Sequence, residues 1–379
     1  MASSNVTAIF STTTSVLVSE VLRQRVDSKG ESEVFSPSEY FVKTNVRQVS
    51  EIVIDFCLSL VISVVGVVTN AIILVVFYRQ GFKDSVNISM SYIAFWDLVK
   101  CMAGTLQRMA GPIGLFDAAA KKSWTNVGIV AFNYLICFSS YVSSVLAAYV
   151  ALERCLCVSI PFQVKFLLTP KFTFAVCTAI SVVVLGSFAV IWGIYDVYRV
   201  FDDTYNKTVI IYKYNEFYQE NEGPLFEYYN LSGIIWPMFS FVVIVVCTSI
   251  IVFQLQKSSK FRSASSSAGR GEDLGQGQRG NQLSGRDKQV VKMLLVIIII
   301  YVVNLSPRIA LYLAKYLIYD FYFLRNYHNL FLVISYVLFI FDLSNGAVNI
   351  FVFMSMSSSF KATFSQTFSF GRGSQGSKP

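Results

Sequence analysis

Histidine is nearly absent from this chain, with His328 the single one among 379 residues. That leaves no set of histidines to build a metal cage. No nucleophile–base–acid spacing stands out either, so an enzyme is the least expected class, and His328 reads as an interfacial residue at a helix end. Charge is scarce as well: Asp, Glu, Lys and Arg make up 14% of the residues, against about a quarter in a soluble domain. The seven cysteines, at 57, 101, 137, 155, 157, 177 and 247, fall inside apolar runs or at their basic-flanked ends. None falls in a segment expected outside the cell, so no disulfide framework is expected. No internal repeat of interrupted half-helices appears, which weighs against a transporter. The first thirty residues also lack a charged stretch, a short apolar core and a cleavage site in series, so no signal peptide is read there and the first apolar run should serve as an uncleaved anchor.

What the chain has is apolar length. Hydrophobic residues make up 54% of it, and runs long enough to cross a bilayer fall at 52–78, 86–109, 124–157, 170–195, 229–255, 289–319 and 328–355. The expected fold is therefore an all-α membrane protein, a bundle of seven transmembrane helices occupying 51–365. A tail of mixed Ser, Thr and charge (1–50) precedes it, and a Ser/Gly-rich segment (366–379) follows; both should be disordered. Basic residues follow the first run (Arg79, Lys83), separate the third from the fourth (Arg154, Lys165, Lys171) and crowd the flexible loop 257–288. Acidic residues dominate the loop after the fourth run. By the positive-inside rule the amino terminus lies outside the cell, and the net charge of +8 reflects membrane orientation rather than nucleic-acid binding. Two glycosylation sequons, at Asn5 and Asn206, fall on the outer side.

Within the spans, polar residues are few. Asp97 lies deep in the second, where an acid is costly unless bonded and so marks function. Pro237 and Pro307 sit inside the fifth and sixth and predict kinks. In the outer loop, 208–214 is rich in β-formers and predicts a hairpin. After the seventh span, Phe360, Lys361 and Phe364 predict a short amphipathic helix on the inner leaflet. The third span ends in Glu153-Arg154-Cys155, with Pro161-Phe162 beyond it.

These features together resemble the rhodopsin-like (class A) G-protein-coupled receptors, in a divergent invertebrate peptide or chemosensory form. The resemblance rests on Gly66 and Asn70, Asp97, Glu153-Arg154 with Pro161, Pro237, Pro307 and Asn349, and covers about 52–365. It departs at Cys155, Val245, Leu305, Ile350 and Phe353. Ile129 holds the place of the third-span cysteine, so the outer lid should be held by packing alone.

The resemblance implies a plasma-membrane receptor that senses an extracellular neuropeptide or small chemosensory molecule and activates a heterotrimeric G protein. Receptor kinases, arrestin and membrane lipid are its implied partners; no nucleic acid is. The alternatives from other classes are a ligand-gated or transport-type membrane protein and a non-signalling relative. Switch and coupling roles fall to Glu153, Arg154, Pro161, Phe162, Asn349 and Phe353. An allosteric sodium ion would sit among Asp97, Ser143, Asn345 and Asn349. The ligand pocket would be lined by Lys100, Asn133, Ile136, Cys137, Ser140, Tyr141, Arg308 and Asp342. Ile136 stands where amine receptors carry an acid, which disfavours an amine. Either Asp342 pairs with Lys100 or Arg308 and merely ties helices, or the three charges leave one cation free to attract an anionic ligand.

Overall fold

A computed structural model describes residues 41–160, 163–164, 166, 168–268, 285–322 and 325–368, and only the backbone for 255–295, 297 and 356. Asn5, Pro161, Phe162, most of the tail 1–50 and the end from 369 lie outside the described residues.

The bundle consists of α1 (Thr44–Gln80), α2 (Ser85–Arg108), α3 (Ala118–Ser159), α4 (Pro170–Ser187), α5 (Glu216–Ala268), α6 (Gly285–Leu317) and α7 (His328–Met356). All but α2 contain a stretch long and apolar enough to cross a membrane. At 24 residues α2 is about 36 Å long and could span too. Its hydropathy is lowered by Asp97, Lys100 and Arg108, which are buried among neighbouring helices and never meet lipid. The central helix is α3, which packs on α2, α4, α5 and α6 and has 72% of its apolar window buried, against 22% for α4.

Several boundaries differ from the expected runs, each for a local reason. The first helix starts at Thr44, inside the segment expected to be disordered. A buried Arg47–Glu51 pair at 2.8 Å stabilises its first turns, and Asn329 of α7 donates to the Val42 carbonyl. Ahead of α3, the Asp117 carboxylate accepts from the amides of Ala119 and Ala120 and so caps the helix, starting it at Ala118 rather than 124. The fourth helix stops at Ser187 instead of 195. Phe188 leaves helical geometry (φ −100°, ψ 0°) to stack on Phe138 at 4.3 Å, and Tyr228 takes the Ser187 carbonyl that would otherwise be left unpaired. Asn215 accepts from the Tyr218 amide and starts α5 before its apolar run, with a break at Asn221.

Between α4 and α5 lies the expected hairpin: β1 (Tyr195–Asp202) pairs antiparallel with β2 (Lys207–Tyr214), Tyr195 opposite Tyr214. Its turn places Asn206 at φ 49°, a left-handed conformation that asparagine tolerates. The expectation that packing alone holds this lid is corrected. Asn126 of α3 donates to the Ile210 carbonyl at 2.8 Å, and Ser123 accepts from the Ile210 amide at 3.0 Å. Ion pairs Lys122–Asp202 and Lys207–Asp117 fasten its tip. The hydrogen bond from Lys207, joined by the amides of Ala120 and Ala119, holds the pKa of the Asp117 carboxyl below its usual value. None of the seven cysteines is joined in a disulfide.

At the opposite end α8 (Ser358–Phe368) follows α7 and buries Phe360 against Phe353 and Phe77.

Candidate functional site

Four polar layers run along the bundle axis. The deepest lies at mid-bundle, where α1, α2 and α7 approach closely. A Cβ at Gly66 would fall 2.4 Å from Cys101 Sγ, closer than side chains come without a shift, and one at Gly346 would fall 3.2 Å from Asp97 Cβ, a tight contact. Asn70 donates to the carbonyls of Gly66 and Gly346 and bridges the two helices. Asp97, fully buried, accepts from Lys100 Nζ at 2.7 Å and Ser143 at 3.0 Å on Oδ1, and from Asn349 Nδ2 at 3.2 Å on Oδ2. Tyr301 and Asn345 stand beside them. Next to Asn349 is a void of about 10 Å3, room for one water.

This layer gathers every residue expected to hold sodium, but a cation is already on the carboxylate. The Lys100 ammonium occupies the position that the ion needs, and a second positive charge on one buried carboxyl would be repelled at close range. The donor set therefore does not fit a sodium ion while Lys100 is paired.

Nearer the hairpin end, the Arg308 guanidinium of α6 meets the Asp342 carboxylate of α7 in a two-pronged pair. Nε donates to Oδ1 at 3.2 Å and the second nitrogen to Oδ2, with both residues buried. Arg308 also lies over the Tyr141 ring at 5.0 Å. The Tyr141 hydroxyl donates to that of Tyr312 at 2.7 Å, and the Cys137 thiol adjoins the same group. Lys100 and Arg308 thus each have their own acid, so neither is the free cation that the sequence left open. Of the other expected pocket residues, Ser140 turns its hydroxyl back on the Ile136 carbonyl, Ile136 is fully buried, and Asn133 ends a π-wound turn, Gly128–Asn133.

Sequence reasoning missed a nest of tyrosines above this pair. Tyr134 and Tyr195 share a hydroxyl contact at 2.6 Å, Tyr214 stacks on both Tyr195 and Tyr218, and Tyr229 meets Tyr134 edge-on. Into it reaches Lys315, one turn beyond Tyr312. The signal was present: 308, 312 and 315 follow the four-three spacing of one helix face.

At the end away from the hairpin, Glu153 accepts from Ser89 of α2 and Thr173 of α4, both at 3.1 Å, while Arg154 reaches it only at 3.8 Å. The expected Glu153–Arg154 pair is present but loose, and the carboxylate is held chiefly by hydroxyls of two other helices. Phe353 is buried against Phe77 and Phe360.

Seven packed helices are tied across their axis by buried polar layers, with an acid–arginine pair at one end. No curated protein matches the chain. A family model described as serpentine type 7TM GPCR chemoreceptor Srw matches residues 57–371, from the first helix past the eighth. The chain therefore belongs to the Srw family of serpentine chemoreceptors, G-protein-coupled receptors with seven transmembrane helices.

Proposed function

We propose that the extracellular ligand of this chemoreceptor is a small molecule that enters the tyrosine nest under the hairpin and acts on the Arg308–Asp342 pair. The observation that carries this reading is the pair itself: it is the buried ionic tie between α6 and α7, directly below the nest. A ligand bound better by the state in which that tie is repacked shifts the population toward it. Pro307, adjoining Arg308, removes one backbone donor from α6 and gives the helix a point at which to move. The far end then opens beside Arg154 and admits a heterotrimeric G protein. The close-packed tyrosines and the fastened hairpin favour a small molecule over a neuropeptide.

In this reading the receptor sits in the plasma membrane with its hairpin outside, so that the basic segments face the cytoplasm. Asn206, exposed at the hairpin tip, is then within reach of glycosylation. Lys100 takes the part of an allosteric sodium ion. Receptor kinases and arrestin act on the cytoplasmic segments after activation.

The test is a charge exchange, read as basal second-messenger output in cells with surface expression matched. Removing one partner of a buried pair costs about 3–5 kcal/mol. Arg308→Asp and Asp342→Arg alone should therefore each shift basal output severalfold or prevent surface delivery, while the double exchange returns toward wild type. A double variant no better than the singles would remove the tie from the mechanism.

A further inference from the structure

Lys315 stands apart from the other cations of the bundle. Lys100 is paired with Asp97, Arg308 with Asp342, Arg108 with Asp55, Arg47 with Glu51 and Arg154 with Glu153. Among the described residues no carboxylate reaches the Lys315 ammonium. It lies instead over three aromatic faces, at 4.7 Å from the centre of Tyr322, 4.8 Å from Tyr312 and 5.6 Å from Tyr229. These rings come from α6, α5 and the segment after α6, so they enclose the ammonium from several sides. Ring quadrupoles stabilise a cation, but they carry no net charge and leave the positive charge uncancelled. Arg325 approaches the other edge of the same cluster, 5.6 Å over Tyr322 and 3.7 Å over Tyr319, again with no acid among the described residues. Glu222 acts on Tyr214 and Tyr218 across the nest without reaching Lys315.

We propose that Lys315 is the anchor for a ligand carboxylate, and that this receptor senses a small organic acid with an aromatic or aliphatic body. Inside the nest the charge is one ammonium, which one carboxylate neutralises; the second uncancelled cation, Arg325, stays at its edge. Arg325 lies at the edge and steers the anion inward. The tyrosine faces supply the walls for an apolar body. Tyr312 connects the two layers, since it both flanks Lys315 and accepts from Tyr141, over which Arg308 lies. An acid seated on Lys315 therefore touches the group that holds the α6–α7 tie.

The inference deepens the reading that the nest is the ligand site, so its test is one of binding, not signalling. Purified full-length receptor in lipid discs is heated with millimolar phenylacetate or hexanoate and, in parallel, with the matching amides. At least one acid should raise the unfolding temperature of the wild type while its amide does not. Lys315→Gln should weaken the acid about tenfold or more, the scale of a hydrogen bond to a charged group. Lys315→Arg should keep part of the response. Without ligand, Lys315→Gln should be at least as stable as wild type, because it relieves a cation without a counter-charge. The proposal is overturned if neither acid stabilises the wild type, if the amides match the acids, or if Lys315→Gln responds undiminished. Acid binding without any basal effect of the Arg308/Asp342 exchange would sink the tie and keep the seat. A working tie with no acid binding would sink the seat alone.

Discussion

At the scale of single residues, the most consequential feature is that Lys100 pairs with Asp97, where a sodium ion was expected. Asp97 cannot remain buried and charged without a positive partner, and the ammonium 2.7 Å away supplies one that does not dissociate. Wild-type receptor should therefore unfold at the same temperature whether sodium or choline is the buffer cation. Lys100→Met leaves the carboxylate alone among amide and phenol oxygens, including the unpaired carbonyls of Asn70, Asn345 and Asn349. Its loss of stability, about 3–5 kcal/mol in choline, should be partly recovered in sodium. A sodium effect already present in wild type and abolished by Asp97→Asn would show that Lys100 does not fill the seat. The pairing itself was legible in the sequence, since positions 97 and 100 share a helix face. What concealed it was the assignment of Asp97 to an ion, which left Lys100 to be set against Asp342.

At the scale of elements, close contact among α1, α2 and α7 depends on side chains that are missing. Gly66→Ala forces a methyl group to within 2.4 Å of Cys101 Sγ, and overpacking of this kind costs about 1–3 kcal/mol. The variant should unfold at lower temperature, and Cys101→Ala in the same chain should restore most of the loss by vacating the space. Gly186→Ala makes a useful contrast, because nothing lies within 4 Å of the new methyl group. There the gain in helix propensity should leave stability unchanged or slightly higher. If Gly66→Ala and Gly186→Ala behaved alike, the tight crossing would be refuted. Element content was largely legible: apolar runs located the helices, and the β-formers of 208–214 marked the hairpin. The ends were less so, because Phe188, Asn215 and Asp117 set them through stacking and capping with partners distant in sequence. The second helix shows the same effect in reverse, since its buried acid, lysine and arginine make it look less like a span than it is. The lid ties were hidden for a simpler reason: Ser123 and Asn126 are ordinary polar residues until the fold brings Ile210 beside them.

At the scale of the whole molecule, the polar layers form a series from hairpin to opposite end, and each is closed by interactions between different helices. Lys315 and its tyrosines join α5, α6 and the segment before α7; Arg308–Asp342 joins α6 to α7; Asp97 joins α2 to α3 and α7; Glu153 joins α3 to α2 and α4. In the proposed mechanism a ligand that repacks the first layer changes the balance of the next, and the last layer decides whether Arg154 is free. Because Arg154 is held to Glu153 at only 3.8 Å, while Ser89 and Thr173 hold the carboxylate, the lock is weak and charge-dependent. Ser89 and Thr173 donate to different oxygens of the carboxylate, so Glu153→Gln keeps an oxygen for one hydroxyl, turns its amide N–H to the other, and removes the charge that attracts the arginine. A pair of this length is worth about 1 kcal/mol, so the population of the open state should rise about fivefold. Basal second-messenger output should increase accordingly, with surface expression near wild type because the amide still bonds both hydroxyls, as acceptor to one and donor to the other. Adding Arg154→Ala to the same chain should return the output to background, since the open end then lacks the group offered to the G protein. Unchanged basal output in Glu153→Gln would mean that the hydroxyls alone close this end. The switch would then lie in how α2 and α4 grip α3, and Ser89→Ala with Thr173→Val would become the variants that open it.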